Sequence, residues 1–175
     1  MKKSLLIVWI LIFSAAVFAQ KTAFRFAFLS DTHIGSPDGK AEEDLRRTVH
    51  DINNRNDIDF VVITGDITEL GTNEELKKTK KLLDSLRVKY YIIPGNHDVG
   101  WSETGGMGFI STFGNDRFVF DNQGVRFIGC SSGPYVRMSD GHIPRDAMTW
   151  MKNILDSTDV NMPVIFLNHY PMDNQ

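Results

Sequence analysis

Four short apolar runs, each closed by a polar cluster at its C-terminal end, constrain this sequence more than any other feature. Phe24 to Leu29 runs into Ser30-Asp31, and Phe60-Val61-Val62-Ile63 into Thr64-Gly65-Asp66. Tyr90 to Ile93 runs into Pro94-Gly95-Asn96-His97-Asp98, and Val164 to Leu167 into Asn168-His169. The second run is continuous and rich in β-branched residues, the pattern of a strand buried on both faces. Between the first two lies Ala41 to Asn54, with Ala41, Leu45, Val49 and Ile52 at helical spacing. Thr72-Asn73-Glu74-Glu75 has the form of a capping box, opening a second helix that runs to about Leu86. Strands alternating with helices predict βαβ units with parallel pairing.

The pattern then changes. Phe118-Val119-Phe120, the turn Asp121-Asn122-Gln123-Gly124 and the run Val125 to Cys130 predict an antiparallel hairpin. Pro144 opens a further helix, with Met148, Met151, Ile154 and Leu155 expected on its inner face. Val164 to Leu167 is expected as a last buried strand. The predicted class is α/β: a layered α-β-β-α sandwich of mixed sheets.

At 175 residues, 42% hydrophobic and 23% charged, the chain is too apolar for disorder and suits one domain. Nineteen basic residues against twenty-two acidic give −3, so no nucleic-acid partner is expected. The single cysteine, Cys130, excludes an intramolecular disulfide and any CxxC zinc site. Ending an apolar strand, it is expected to be buried and inert.

Residues 1–19 are set apart. Lys2 and Lys3 precede an uncharged run from Ser4 to Ala19 with small residues at its end, the form of a secretory signal peptide. The alternative is a retained anchor, although the run falls short of the roughly 20 apolar residues of a spanning helix. The expected organisation is a signal peptide over 1–19 and one domain over 20–175, exported to a periplasmic or extracellular location. No stable membrane insertion is expected after cleavage.

Ligands of open α/β sheets bind at the carboxyl ends of the strands. Four strands here bring carboxylates, an amide and imidazoles to one rim. Asp31 and His33 sit two apart, so in extended chain both side chains point the same way and can chelate one ion. Asp66 has two oxygens and can bridge two ions; Asn96 offers a neutral oxygen and His169 a nitrogen for the second. Oxygen and imidazole donors without thiolate suit two divalent ions such as manganese, iron or zinc. Turn and cap chemistry at strand ends is the plain alternative, and it rarely recruits two histidines.

The motifs Asp31-Thr32-His33, Gly65-Asp66, Gly95-Asn96-His97-Asp98 and Asn168-His169, in this order and spacing, resemble the calcineurin-like metallophosphoesterase family. The resemblance extends from Phe24 to Pro171. It implies the metallophosphoesterase fold and hydrolysis of a phosphodiester or phosphomonoester by a hydroxide bridging two metal ions. It also implies that Asp31, His33 and Asp66 bind one ion, and Asp66, Asn96 and His169 the other. His97 would face a small phosphate-ester substrate, stabilising charge or protonating the leaving oxygen. Asp98 would hold the loop or orient His97. A carboxylate three residues after the bridging aspartate orients that histidine in some branches, and Glu69 holds the position here. Purple acid phosphatases place a tyrosine there, so a tyrosine-bound ferric ion is not expected.

The family closes its site with Gly-His-x-His, and this chain reaches Gln175 before any such motif; Gly141-His142 is followed by Ile143-Pro144. The chain is therefore expected to be a fragment lacking at least one strand and two ligands. Two rival classes accompany this reading: a non-catalytic metal- or phosphate-binding module, and a nuclease of the same fold. His50 and His142 are expected at the surface. The glycine-rich stretch Gly100 to Gly114 is read either as a flexible connector or as a wall of the substrate site. Arg117, Arg137 and Arg145 are possible phosphate contacts, and Lys77-Lys78 with Lys80-Lys81 a solvated helix face.

Overall fold

The computed structural model describes residues 23–133 and 141–171; the expected leader and Arg137 lie outside them. Strands β1 (Phe26–Leu29), β2 (Phe60–Ile63) and β3 (Lys89–Ile92) form a parallel sheet in that order. Phe26 pairs with Phe60, and Phe60 with Lys89. The crossovers are helices α1 (Ala41–Asn53) and α2 (Asn73–Leu83). Alternate strand residues point to opposite faces, and this decides the layers. Ala27, Leu29, Val61, Ile63 and Ile92 meet Leu45, Val49, Leu76 and Leu83 of the helices in one core. Phe26, Phe60, Val62 and Tyr91 face the other way.

There they meet a second sheet of β4 (Arg117–Asn122), β5 (Val125–Cys130) and β6 (Val164–Leu167). β4 and β5 pair antiparallel and β5 and β6 parallel. Gln123 and Gly124 turn the hairpin with φ of 49° and 80°, the two positive angles of a primed turn. The seam between the sheets is aromatic. Phe26 stacks on Phe60 at 5.2 Å, Phe60 meets Phe127 edge-on at 5.3 Å, and Phe118, Phe120 and Tyr91 extend the cluster. Each such pair adds about 0.5–1.5 kcal/mol beyond its area burial. β2 is fully enclosed, with Val61 and Val62 both 0% exposed.

The capping box opens α2 as expected: the Thr72 hydroxyl accepts from the Glu75 amide and the Glu75 carboxylate from the Thr72 amide. Three expectations change. Among the described residues the last strand is the outer one of its sheet, with Leu167 buried and Val164 38% exposed. Helix α5 (Arg145–Asp156) forms where predicted, but its buried residue is Ala147, whereas Met148 and Leu155 are exposed. Arg117 of β4 binds the exposed Asp146 at 2.9 Å and lies over the Trp150 ring. Met151 and Ile154 of the expected stripe are half-buried.

Gly100 to Gly114 is not a plain connector. It contains helix α4 (Met107–Phe113), bounded at each end by left-handed Gly106 and Gly114, and Phe109 is fully buried against the first core. Among the described residues no helix is long and apolar enough to cross a membrane.

Candidate metal centre

The loops after β1 and β2 are zipped together. The amides of Asp31, His33 and Ile34 donate to the carbonyls of Gly65, Asp66 and Ile67 at 2.9–3.0 Å, and Ile34 pairs with Thr68 as an isolated bridge. Asp31, His33 and Asp66 take left-handed backbone, with φ of 57°, 44° and 49°. Non-glycine residues rarely adopt this conformation, and it persists where surrounding structure over-determines it. The extended chain expected at Asp31 and His33 is thus not what aligns them; with the interloop hydrogen bonds holding this backbone, ligand atoms of Asp31, His33 and Asp66 lie within 4.8 Å of one another.

Two glycines allow the second and third strand ends to touch. A Cβ on Gly65 would stand 2.2 Å from the Gly95 nitrogen, and one on Gly95 would stand 2.2 Å from Asp66 Oδ1. With that approach open, the His97 amide donates to Asp66 Oδ1 at 2.9 Å. Asn96 and His97 begin a single helical turn, α3 (Asn96–Val99). The fourth contribution crosses from the second sheet. Ser132, after β5, accepts the amides of His169 and Tyr170 through its hydroxyl and so holds the end of β6 in place.

The histidines share one arrangement. His169 Nδ1 donates to the Thr64 carbonyl at 2.9 Å, and His97 Nδ1 to the Glu69 carbonyl at 2.7 Å. A carbonyl only accepts, so each Nδ1 carries the proton and each Nε2 is left to face the site. His33 Nδ1 lies 3.1 Å from Glu69 Oε2, with the same consequence.

Asp66 Oδ2 is the pivot. It lies 3.9 Å from His33 Nε2 and 3.3 Å from His169 Nε2, so one carboxylate oxygen faces two half-sites. Asp31 Oδ1 completes the first, 3.8 Å from His33 Nε2; Asn96 Oδ1 completes the second, 3.2 Å from His169 Nε2. A cation with bonds of about 2.0–2.2 Å keeps its ligand atoms roughly 3–3.5 Å apart. The second half-site matches that spacing, and the first is slightly wider.

The donor set fits cations on chemical grounds. With its proton on Nδ1, neutral His169 points a lone pair towards Asp66 Oδ2 and Asn96 Oδ1, an arrangement a shared cation would satisfy. The local field agrees. Burial alone would raise the Asp66 carboxyl, but hydrogen bonds from His169 and the His97 amide outweigh it and hold its pKa below the ordinary carboxylate value. Burial would lower His169, yet Asp66 and then Asp31 keep it raised. An Asp66 carboxylate kept ionised offers a cation a charged oxygen.

Asp98 stands beneath the site. It is fully buried, and its carboxylate accepts from the amides of Ile67, Thr68 and Gly95 and from the Thr68 hydroxyl. These bonds tie the loops after β2 and β3 together. His97 meets the His33 ring edge-on at 4.7 Å and lies 6.4 Å from Trp101, which is 54% exposed. His50 and His142 are at the surface. Arg117 is engaged by Asp116 and Asp146.

Several groups in the site had no sequence signal. The Thr64 and Glu69 carbonyls are main-chain acceptors that any residue type supplies. Ser132 lies 37 positions from His169, with no motif to join them. Glu69 was visible as a candidate to orient His97; the fold gives that task to its carbonyl and turns its carboxylate to His33.

A family model described as calcineurin-like phosphoesterase matches residues 24–175. A probable glycerophosphodiester phosphodiesterase of Arcobacter nitrofigilis is 30% identical over 154 residues, covering 82% of this chain and 56% of that protein. A 3′,5′-cyclic-nucleotide phosphodiesterase of Nostoc is 27% identical, covering 67% of this chain and 43% of its own length. A glycerophosphodiester phosphodiesterase of Enterobacter lignolyticus is 25% identical, with 83% and 56% covered. The chain thus spans about half the length of these relatives.

Proposed function

The chain belongs to the calcineurin-like phosphoesterase family, and from that premise we propose that it hydrolyses a small phosphodiester with the help of two divalent cations. One observation carries the reading: Asp66 Oδ2 faces the Nε2 atoms of His33 and His169, each of whose other ring nitrogen is engaged. Asp31, His33 and Asp66 hold one cation, and Asp66, Asn96 and His169 the other. Bound there, the pair supplies an acidified water as nucleophile and neutralises charge on the phosphate.

The chain's own residues do the rest. Asp66 keeps Oδ1 on the His97 amide, which leaves Oδ2 to be shared. His97 holds its proton on Nδ1 against Glu69, so Nε2 faces the substrate and, when the ring is protonated, donates to the departing or non-bridging oxygen. Asp98 fixes the loops that carry Asp66 and His97 rather than touching substrate. The diester preference is supported by relatives named as phosphodiesterases. The reading includes export, supported by Lys2, Lys3 and the uncharged run to Ala19.

The test uses the full natural protein, stripped with a chelator and reloaded with manganese, zinc or iron. Hydrolysis of bis(p-nitrophenyl) phosphate exceeding that of p-nitrophenyl phosphate, and restored only by metal, is the expected result. No turnover of either ester at any metal loading would overturn it.

A further inference from the structure

Glu69 touches two histidines of the site with two different groups. Its carboxylate lies 3.1 Å from His33 Nδ1, and its carbonyl accepts from His97 Nδ1 at 2.7 Å. Its backbone has little freedom to do otherwise. The Glu69 amide donates to the Ile34 carbonyl at 2.9 Å, and Thr68 pairs with Ile34. The residue is therefore clamped between the loop that carries His33 and the loop that carries His97. Its side chain is 28% exposed and the His33 ring 29%, so their contact is partly shielded from water.

The two bonds have different consequences. The His97 bond uses the main chain and survives any substitution that leaves the loop intact. The His33 bond depends on the side chain. A carboxylate on Nδ1 fixes the ring's tautomer and rotation, and it makes Nε2 a stronger donor to a cation. His33 Nε2 faces Asp31 Oδ1 and Asp66 Oδ2 and takes no part in the His169 half-site.

We propose that Glu69 is a positioning residue for one half-site only. Its carboxylate orients His33 and so sets the affinity of the Asp31, His33 and Asp66 group for its cation, leaving the Asp66, Asn96 and His169 group untouched. The inference rests on the reading of these residues as metal ligands.

The experiment compares full-length wild type, Glu69→Gln and Glu69→Ala. Metal content after dialysis against graded chelator gives each cation's affinity, and long-range proton–nitrogen NMR of the metal-free protein reports the His33 tautomer. Outer carboxylates of this kind are typically worth about 10–100-fold in affinity. The Ala variant should lose that factor for one cation, leave the other unchanged and, in the metal-free state, show a mixed His33 tautomer. The Gln variant, whose amide oxygen still accepts from Nδ1–H, should stay close to wild type and keep the tautomer. Equal weakening of both cations, no weakening of either, or a Gln variant as impaired as Ala would overturn the proposal. If wild type binds fewer than two cations, the dinuclear reading itself fails. Two cations in wild type with both unchanged in Glu69→Ala would sink only the role of Glu69.

Discussion

Asp66 and His169 meet at 3.3 Å although they stand at the ends of strands in different sheets. The candidate centre therefore straddles the seam of the sandwich, and its geometry depends on how the sheets dock. The aromatic cluster of Phe26, Phe60, Phe127 and Phe120 sets that docking. Core and site are coupled through β2, whose residues are buried on both faces and whose end delivers Asp66.

Asp66→Asn should reduce both cations together, because the shared oxygen belongs to both half-sites. His97→Ala should leave both bound and lower kcat by about 10²–10⁴-fold, the usual worth of a positioned proton donor. Metal analysis beside steady-state kinetics separates the two. Equal metal loss in the two variants would show that the roles are wrongly divided.

Gly95→Ala tests the contact between the second and third strand ends. The new Cβ would sit 2.2 Å from Asp66 Oδ1 and 2.5 Å from the Asp66 amide nitrogen. The backbone atom has no rotamer to escape into, so the loop must shift. Loss of both cations and a fall of about 1–3 kcal/mol in urea-unfolding stability are expected, the usual range for overpacking. An unchanged metal content would mean that the loops are less closely apposed than described.

Phe109→Ala should destabilise the fold by about 3–5 kcal/mol, the cost of emptying a buried aromatic position. Phe109 is fully enclosed in the core shared with α1 and α2. A denaturation midpoint near that of wild type would return Gly100 to Gly114 to the status of a connector.

Asp84 and Tyr90 give stability a pH dependence on both flanks. The Asp84 carboxylate accepts from Lys80 and from the Tyr90 hydroxyl at 2.8 Å each, and Lys80 first, then Tyr90, holds its pKa below the ordinary value. Its stabilisation is complete above the unfolded pKa near 4 and is lost as pH falls through the lower folded value. Burial and then Asp84 raise the Tyr90 phenol, so its share is complete below the unfolded pKa near 10 and lost as pH rises beyond it. Thermal scans across pH should show Asp84→Asn flattening the acid side and Tyr90→Phe the alkaline side. Profiles parallel to wild type would remove the pair from this role.

Much of the site was legible because its chemistry is local. Asp31 with His33, Asp66 after Gly65, and Asn96 with His97 each follow a recognisable apolar run, and strand-end placement alone suggests convergence. The capping box of Thr72 and Glu75 and the turn at Gln123-Gly124 were equally legible, since cap and turn chemistry lies within four residues. The inner face of α5 was not. Ala147, rather than Met148 or Leu155, takes the buried position there, and Arg117, 29 positions from Asp146, packs on that helix through contacts no local pattern announces. The helix around Phe109 was hidden by its glycines, which read as flexibility until Gly106 and Gly114 are seen to bound it.

By itself the amino-acid sequence determined the α/β class, the four strand ends and the residue types gathered there, because periodicity, caps and short motifs act within a few residues. The tertiary structure decided which atoms those residues present. The Thr64 and Glu69 carbonyls and the Glu69 carboxylate assign the histidine tautomers, and loop-to-loop hydrogen bonds force Asp31, His33 and Asp66 into left-handed backbone. Such contacts join positions up to 105 residues apart and use main-chain groups that every residue carries, so they appear only when the sheets have docked.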